Sequence, residues 1–412
     1  MNIHEPTIRQ YIYFVRSIDT LEGTKERDSQ IEGQIESLRE RMEELSRKTI
    51  EEKIILPPLD RNKSRPIFDS GWLGEDEAGR DYFFAVSARS DTVIVQSAYY
   101  RSSEGEQNFQ QIRDELWDGS EVKKFRDAKS YFIGETIVLC ALTEQIEKET
   151  AQAILSVWVD ADESHSVSDG FDIGIGTFYY DTSEPAICIL LYPDEQAEDA
   201  AGDFLNLQFP IIELHRHKCE AQVSLYEQSQ RSDIEQSEKD LRDELDATEE
   251  PTMSFRELQR RTIALSELQQ QYAEKLGELE KIQNTVEINI RNLQDKIEEA
   301  FKPDACPHLY KELLEKYQRS SEQMGYDKCY FEVADQRATI ARETLQTLVE
   351  VERGKTERFI TYLLFALGTV LAAGQVIDSN PKTTLLRGII VGGGIVLVGV
   401  GMFIYRKFQG KD

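Results

Sequence analysis

Two long apolar runs near the end of the chain constrain its fold more than any other feature. They cover residues 359–377 and 385–405, and only the polar stretch 378–384 separates them. Each run has about the 20 apolar residues that an α-helix needs to cross roughly 30 Å of hydrocarbon. The pattern predicts a transmembrane hairpin at 359–405, so the rest of the chain is expected to work beside a membrane.

Basic residues beside the two runs predict the orientation of the hairpin. Two of them, Lys382 and Arg387, lie at the turn. Six lie at the outer ends of the runs, namely Arg353, Lys355, Arg358, Arg406, Lys407 and Lys411. By the positive-inside rule, both termini lie in the cytoplasm and residues 406–412 form a cytoplasmic tail. The expected location is the inner or plasma membrane, as a multi-pass protein.

The charge of the chain limits its partners. The 412 residues include 76 Asp and Glu against 48 Lys and Arg, which gives a formal net charge of −28. Such a surface repels nucleic-acid backbones and anionic lipid, so no nucleic-acid partner is expected. Divalent cations are natural counterions, although the acidity also serves to keep a large assembly soluble. The 5 cysteines are scattered without a Cys-x-x-Cys pair, so neither a disulfide framework nor a zinc ribbon is predicted.

The soluble part divides into three regions by pattern. In residues 1–52, the spacing of Ile31, Ile35 and Leu38 predicts an amphipathic helix that the two prolines of 53–58 end. Residues 53–193 predict a cytosolic α/β domain, with strands at 82–88, 92–100, 131–142, 174–180 and 186–192 and helices at 106–117 and 144–158. Residues 194–358 predict a stalk of antiparallel coiled-coil helices. The predicted fold class is therefore an α+β membrane protein.

A heptad pattern carries the coiled-coil prediction. Six apolar residues within 254–301 lie seven positions apart, namely Leu258, Leu265, Tyr272, Leu279, Val286 and Leu293. Heptads sustained over this length predict helix packed against helix.

Apart from Phe365, one face of the first apolar run is small or polar. Its members at four-three spacing are Thr361, Phe365, Gly368, Ala372, Gln375 and Ser379. Polar groups are costly in hydrocarbon, so this face is expected to meet either other helices or an aqueous pore. Two helices cannot enclose a pore, so a pore would require a ring of several copies.

The order of a cytosolic α/β domain, a long helix and two C-terminal spans with a tiny outer loop resembles the CorA family of divalent-cation channels. The resemblance implies a pentamer whose first span lines the pore, with Gly-Met-Asn at its outer mouth. Here residues 374–381 read Gly-Gln-Val-Ile-Asp-Ser-Asn-Pro, so that signature is absent. Gln375, Asp378 and Asn380 could still offer oxygens to a hydrated cation, or could simply form a polar turn. Divergent bacterial members of the superfamily include membrane effectors tied to nucleotide signalling in antiviral defence, so the resemblance also implies this role as an alternative.

An acidic segment after residue 159 is a candidate cation site. Its carboxylates are Asp160, Asp162, Glu163, Asp169 and Asp172. Oxygen ligands in a loop suit Mg2+ or another divalent cation, whereas the alternative is a solvated acidic loop.

The remaining constellations give no catalytic centre. On a helix, His215 and Cys219 share a face while His217 does not, and two ligands do not close a zinc site. No phosphate-binding loop, nucleophile elbow or His-Glu-x-x-His motif occurs. The chain is therefore predicted not to be an enzyme.

Two functional hypotheses follow. The first is a homo-oligomeric, CorA-like ion channel or transporter that its cytosolic domain gates. The second is a membrane-tethered sensor, scaffold or antiviral-defence effector whose helices only anchor and oligomerise it. The expected partners are further copies of the chain, the lipid bilayer and a small-molecule or cation regulatory ligand.

Overall fold

The structure, a computed structural model, describes residues 4–16, 21–46, 56, 67–75, 81–89, 91–99, 131–159, 165–182, 186–248, 253–301 and 306–376. It divides into two compact units. The first contains Met1–Leu225 and Ile282–Gln323, and the second contains Tyr226–Lys281 and Met324–Asp412. The predicted helix at 106–117 lies outside the described residues.

An eight-stranded mixed sheet forms the centre of the first unit. The strands are β1 (His4–Val15), β2 (Ile67–Glu75), β3 (Asp81–Arg89), β4 (Thr92–Tyr99), β5 (Phe132–Leu142), β6 (Phe171–Asp172), β7 (Thr177–Tyr180) and β8 (Ile187–Tyr192). Their order across the sheet is β2-β3-β4-β1-β5-β8-β7-β6. Only the β5–β8 pair among these strands is parallel. The N-terminal strand β1 therefore lies in the middle of the sheet, between β4 and β5.

Two helices cover one face of this sheet. They are α1 (Leu21–Ser46) and α2 (Lys148–Trp158). The apolar side of α1, which includes Ile31, Ile35 and Met42, is buried in the main hydrophobic core. The spacing of these residues places them on one side of the helix, and their burial supplies the main driving force for packing it on the sheet. The residues predicted as a separate N-terminal element thus contribute both a central strand and a core helix.

The rest of the described chain is helical. After β8 come α3 (Glu195–Asp203), a π-helical turn π1 (Phe204–Gln208), α4 (Phe209–Leu225), a second π-helical turn π2 (Tyr226–Gln230), α5 (Arg231–Thr248), α6 (Phe255–Ala300) and α7 (His308–Val376). The side chains of α7 are described as far as residue 365.

The long helices α6 and α7 each bury a row of residues that lie seven positions apart. All six heptad residues of α6 that the sequence indicated are buried. On α7 a matching row is buried, namely Tyr310, Tyr317, Met324, Phe331, Ala338 and Leu345. In the second unit, Tyr272 Oη donates to the Phe331 carbonyl at 3.0 Å, and Lys328 pairs with Glu280 at 3.0 Å. Because the numbers rise on one helix as they fall on the other, α6 and α7 are antiparallel there.

The prediction of a membrane protein is wrong for the part of the chain that the structure describes. None of the helices there is long and apolar enough to cross a bilayer. From Lys311 to Arg358, α7 carries charged residues at short intervals, and burying them in hydrocarbon would be costly. The second apolar run, 385–405, lies outside the described residues.

This finding corrects three related predictions. The fold class is a mixed α/β sheet with helices, not an α+β membrane protein with a transmembrane hairpin. A multi-pass location in the inner or plasma membrane is likewise contradicted, and so is the classification as a transmembrane channel.

Candidate functional site

The sheet face opposite α1 and α2 is unusually polar. On β1, residues two apart point to the same face, which places Arg9, Tyr11 and Tyr13 together. The register pairs Tyr11 with Gln96 of β4 and with Thr136 of β5. All of these side chains are buried. Buried polar groups need hydrogen-bond partners, and helix α4 with π1 supplies several of them.

Three residues of α4 form the centre of a buried polar cluster. Glu213, Arg216 and His217 lie three and four positions apart, so they share one side of the helix. Arg216 Nε donates to Glu213 Oε2 at 2.7 Å, and the Thr136 hydroxyl donates to the same oxygen at 2.7 Å. The other oxygen, Glu213 Oε1, accepts from Tyr310 Oη at 3.1 Å. Both oxygens of this buried carboxylate are therefore satisfied.

The guanidinium of Arg216 sets the protonation of His217. The Nε2 atom of this histidine lies 2.9 Å from an Arg216 guanidinium nitrogen and 2.8 Å from the Thr136 hydroxyl oxygen. A guanidinium can only donate, so Nε2 accepts and the proton of the neutral ring is on Nδ1. Nδ1 is thus the nitrogen that is able to donate to the backbone of Glu135, which hydrogen-bonds to this ring. The arrangement requires neutral His217.

The electrostatics of the cluster agree with this assignment. Burial, followed by the charge of Arg216, lowers the pKa of His217 well below its usual value. Burial, followed by the Glu213 carboxylate, raises the pKa values of Tyr13 and Tyr310 well above normal. Burial alone would favour neutral Arg216, but the ion pair with Glu213 overcomes that effect and raises the pKa of the guanidinium. The cluster therefore holds one ion pair among neutral groups.

A glycine makes room for the imidazole. A Cβ atom on Gly134 of β5 would lie 2.6 Å from Cε1 of His217 and closer still to Nδ1. The Tyr13 ring also packs on the imidazole, with a centroid separation of 5.0 Å. Gly134 pairs with Tyr13 in the sheet register, so β1 and β5 together form the slot that holds His217.

The π-helical turn π1 provides a second set of polar contacts on the same sheet face. Arg9 donates to Asn206 Oδ1 at 2.6 Å, and the Leu205 carbonyl accepts from Tyr11 Oη at 2.9 Å. A π-turn widens the helical repeat and is found often at functional positions. Here it lets the helix present both a side-chain and a backbone acceptor to β1.

The geometry of the buried polar cluster favours a structural role, in which it joins α4 to the sheet, over a role as a reactive centre. Glu213, Arg216, His217 and Tyr310 are buried, and the hydrogen bonds described above connect them to one another or to the sheet. Removal of one member of a buried ion pair is strongly destabilising, because the other member is left buried without compensation. The cluster fixes α4 and the start of α7 in one position on the sheet.

The structure describes only part of the predicted cation site. Asp160, Asp162 and Glu163 lie outside the described residues. Asp169 is exposed and pairs with Lys148 at 2.7 Å, a contact that lowers the pKa of its carboxyl. Asp172 accepts from the backbone N–H of Gly174 at 2.8 Å. Across the described positions, no three His, Cys, Asp or Glu residues are grouped to hold a metal ion. The Mg2+ site remains a prediction.

A histidine–aspartate pair lies beside this loop. His165 Nδ1 contacts Asp181 Oδ2, and the Asp181 side chain is fully buried. Gln152 of α2 donates to the His165 carbonyl and accepts from Val167 N–H. These hydrogen bonds attach residues 165–167 to α2.

The residues predicted to line a pore are only partly described. Thr361 is exposed on α7, and its hydroxyl donates to the Glu357 carbonyl at 2.8 Å. Gly368, Ala372 and Gln375 belong to the last turns of α7, beyond the described side chains. Ser379 and the predicted mouth residues Asp378 and Asn380 lie outside the described residues.

Sequence reasoning missed the cluster on α4, although it noticed His217. The spacing of His215, His217 and Cys219 suggests only an incomplete zinc site, whereas in the structure His217 and Cys219 are buried and His215 hydrogen-bonds Asn289. The signal was present in the spacing of Glu213, Arg216 and His217 within a run that begins Phe-Pro-Ile-Ile. That spacing places the three side chains on one face of the helix, and the apolar residues before them favour burial of the segment.

Comparison of the chain with protein-family models, with curated proteins and with solved structures finds no match.

Proposed function

We propose that the protein is a homo-oligomeric scaffold, in which the long helices bring together copies of the sheet-containing unit. The observation that carries the proposal is the division of heptad-spaced residues in the second unit. One row, which includes Tyr272 and Leu279 of α6, is buried within the chain, whereas large apolar side chains of α7 such as Ile340 remain exposed. Helices of this kind join protein segments along their length and do not enclose a substrate.

The buried polar cluster supports the same conclusion. Glu213, Arg216 and His217 use their charges and hydrogen bonds on one another and on the sheet. Groups that act on a substrate must reach it, and these side chains are covered. A channel is not proposed, because it requires membrane-spanning helices and the described chain contains none.

The mass of the purified full-length protein tests the proposal. Light scattering after size-exclusion chromatography, over a range of concentrations, is expected to give a multiple of the 47.4 kDa chain mass. A mass of one chain at all concentrations up to about 100 μM, well above the Kd of specific assemblies, would overturn it.

A further inference from the structure

Helix α7 presents a second heptad row to solvent. Its members are Tyr326, Tyr330, Val333, Arg337, Ile340, Thr344, Thr347 and Val351, here called the exposed α7 stripe. All eight residues are exposed. Tyr326 is 70% exposed and Ile340 is 65% exposed. A continuous row of such side chains, unlike a single one, marks an interaction surface. The successive spacings of four and three continue without a break from 326 to 351.

The stripe is separate from the row that α7 buries within its own chain. Phe331, Ala338 and Leu345 are buried one position after Tyr330, Arg337 and Thr344, so the two rows lie side by side around the helix. The stripe spans about 38 Å at 1.5 Å per residue. Its length of nearly four heptads is in the range that sustains a coiled coil.

From this pattern we infer that the exposed α7 stripe is the surface on which α7 of a second copy binds, parallel and in register. The inference rests on the proposed scaffold and names the partner and the direction of pairing. With Tyr330 and Val351 at a positions, Ile340 is at a d position and Glu350 is at a g position.

The flanking charges select the parallel direction. In a parallel pair, each g residue faces the following e residue of the partner, so Glu350 meets Lys355 of the second copy. In an antiparallel pair, g residues face g residues, which brings Glu343 and Glu350 of the two copies together. Lys355 already contacts Glu352 of its own helix at 2.5 Å. The Lys355 side chain is 66% exposed and that of Glu352 is 39% exposed, so that contact exchanges at little cost.

Arg337 sets the register at a cost in affinity. In the parallel, in-register pair it occupies an a position and faces its counterpart in the second copy. A single polar residue at such a position specifies register while it weakens the association. Replacing Arg337 by an apolar residue is therefore expected to strengthen the association while it weakens the choice of register.

Sedimentation of the full-length protein and its variants tests the surface. Ile340→Glu should raise the dissociation constant by at least about tenfold, since it buries a charge at the seam, and Arg337→Ile should lower it severalfold. Gln346→Glu, which adds the same charge elsewhere on α7, is the matched control and should leave it unchanged. If Ile340→Glu associates like the wild type, the proposed surface is wrong, but the proposal of a homo-oligomeric scaffold is unaffected. If the wild type is monomeric, both fail.

Disulfide cross-linking tests the direction. Ile340→Cys and Val351→Cys, each in a Cys329→Ser background that removes the exposed native thiol, should both give cross-linked pairs on mild oxidation. An antiparallel pair can bring at most one of these two positions next to its counterpart. Gln346→Cys should not cross-link. A cross-link at only one of the two positions, 340 or 351, would contradict the parallel arrangement.

Discussion

The imidazole of His217 occupies the space in which a side chain on Gly134 would begin. The two residues are on different elements, since Gly134 is on β5 and His217 is on α4. Their contact determines how closely the helix approaches the sheet. It also places the imidazole within reach of Thr136 and Arg216.

Gly134→Ala tests this relationship. The new methyl group should force His217 out of its slot and separate it from Arg216. We expect the free energy of unfolding to fall by about 1–3 kcal/mol, the usual cost of overpacking a core. Urea denaturation measures the change. Gly71→Ala is the control, because its nearest contact would be an ordinary 3.7 Å, and a similar loss in both variants would show that the slot is not the cause.

The Glu213–Arg216 pair gives a second prediction. Arg216→Met leaves a buried carboxylate without its cation, so we expect a loss of about 3–5 kcal/mol in unfolding free energy. The double variant Glu213→Gln with Arg216→Met should recover a large part of that loss, because no buried charge remains. Denaturation of the single and double variants forms a double-mutant cycle.

An exposed pair is the control for this cycle. Lys316 and Glu220 also belong to the first unit and lie 3.1 Å apart, but both are substantially exposed. Lys316→Met should therefore cost no more than about 1 kcal/mol. Equal losses for Arg216→Met and Lys316→Met would contradict the importance of burial.

Periodicity predicted those elements that have one clear pattern. The strands at 82–88, 92–100 and 186–192 lie close to β3, β4 and β8, and the heptads at 254–301 mark α6. In each of them the residue type and the spacing point to the same structure. These short-range signals are visible within a single segment.

The central strand β1 was not predicted. Arg9 and Gln10 interrupt its apolar residues, so it resembles neither an alternating strand nor a buried apolar run. Those polar residues are accommodated by partners far along the chain, such as Asn206 for Arg9 and Glu135 for Gln10. Contacts at this sequence separation are not visible in a local pattern. The cluster on α4 was not predicted for the same reason, since its partners Thr136 and Tyr310 are also distant in the sequence.

The membrane prediction failed because the length and apolar composition of one segment do not distinguish a membrane span from an apolar stretch within another kind of helix. Residues 359–376 belong to α7, which begins at His308 and carries charges along most of its described length. The run is therefore the end of a long and mostly charged helix, and the length and hydropathy of the run do not by themselves take that setting into account.

The heptad row of α6 gives a third prediction. Leu279 is fully buried in the second unit, so Leu279→Ala should lower the free energy of unfolding by about 2–5 kcal/mol. Ile263 is on the same helix but is 60% exposed, and Ile263→Ala should change stability by less than about 0.5 kcal/mol. Thermal or urea unfolding distinguishes the two. Equal losses would argue against heptad packing of α6.

The neutral state of His217 predicts how stability depends on pH. Because its pKa is depressed in the folded protein, the unfolded chain binds the proton more readily. The contribution of His217 is therefore complete above the unfolded pKa of about 6.5, and it decreases as the pH falls below that value. We expect the free energy of unfolding to drop by up to about 1.4 kcal/mol per pH unit from this group between roughly pH 6.5 and 5.

The pKa of His215 is also lowered by burial, so the experiment must separate the contribution of His217 from that of His215. The difference between the wild type and His217→Gln, measured by urea denaturation at pH 7.5, 6 and 5, does so. If the two lose stability in parallel as the pH falls, the imidazole is not held neutral by Arg216 and the sheet.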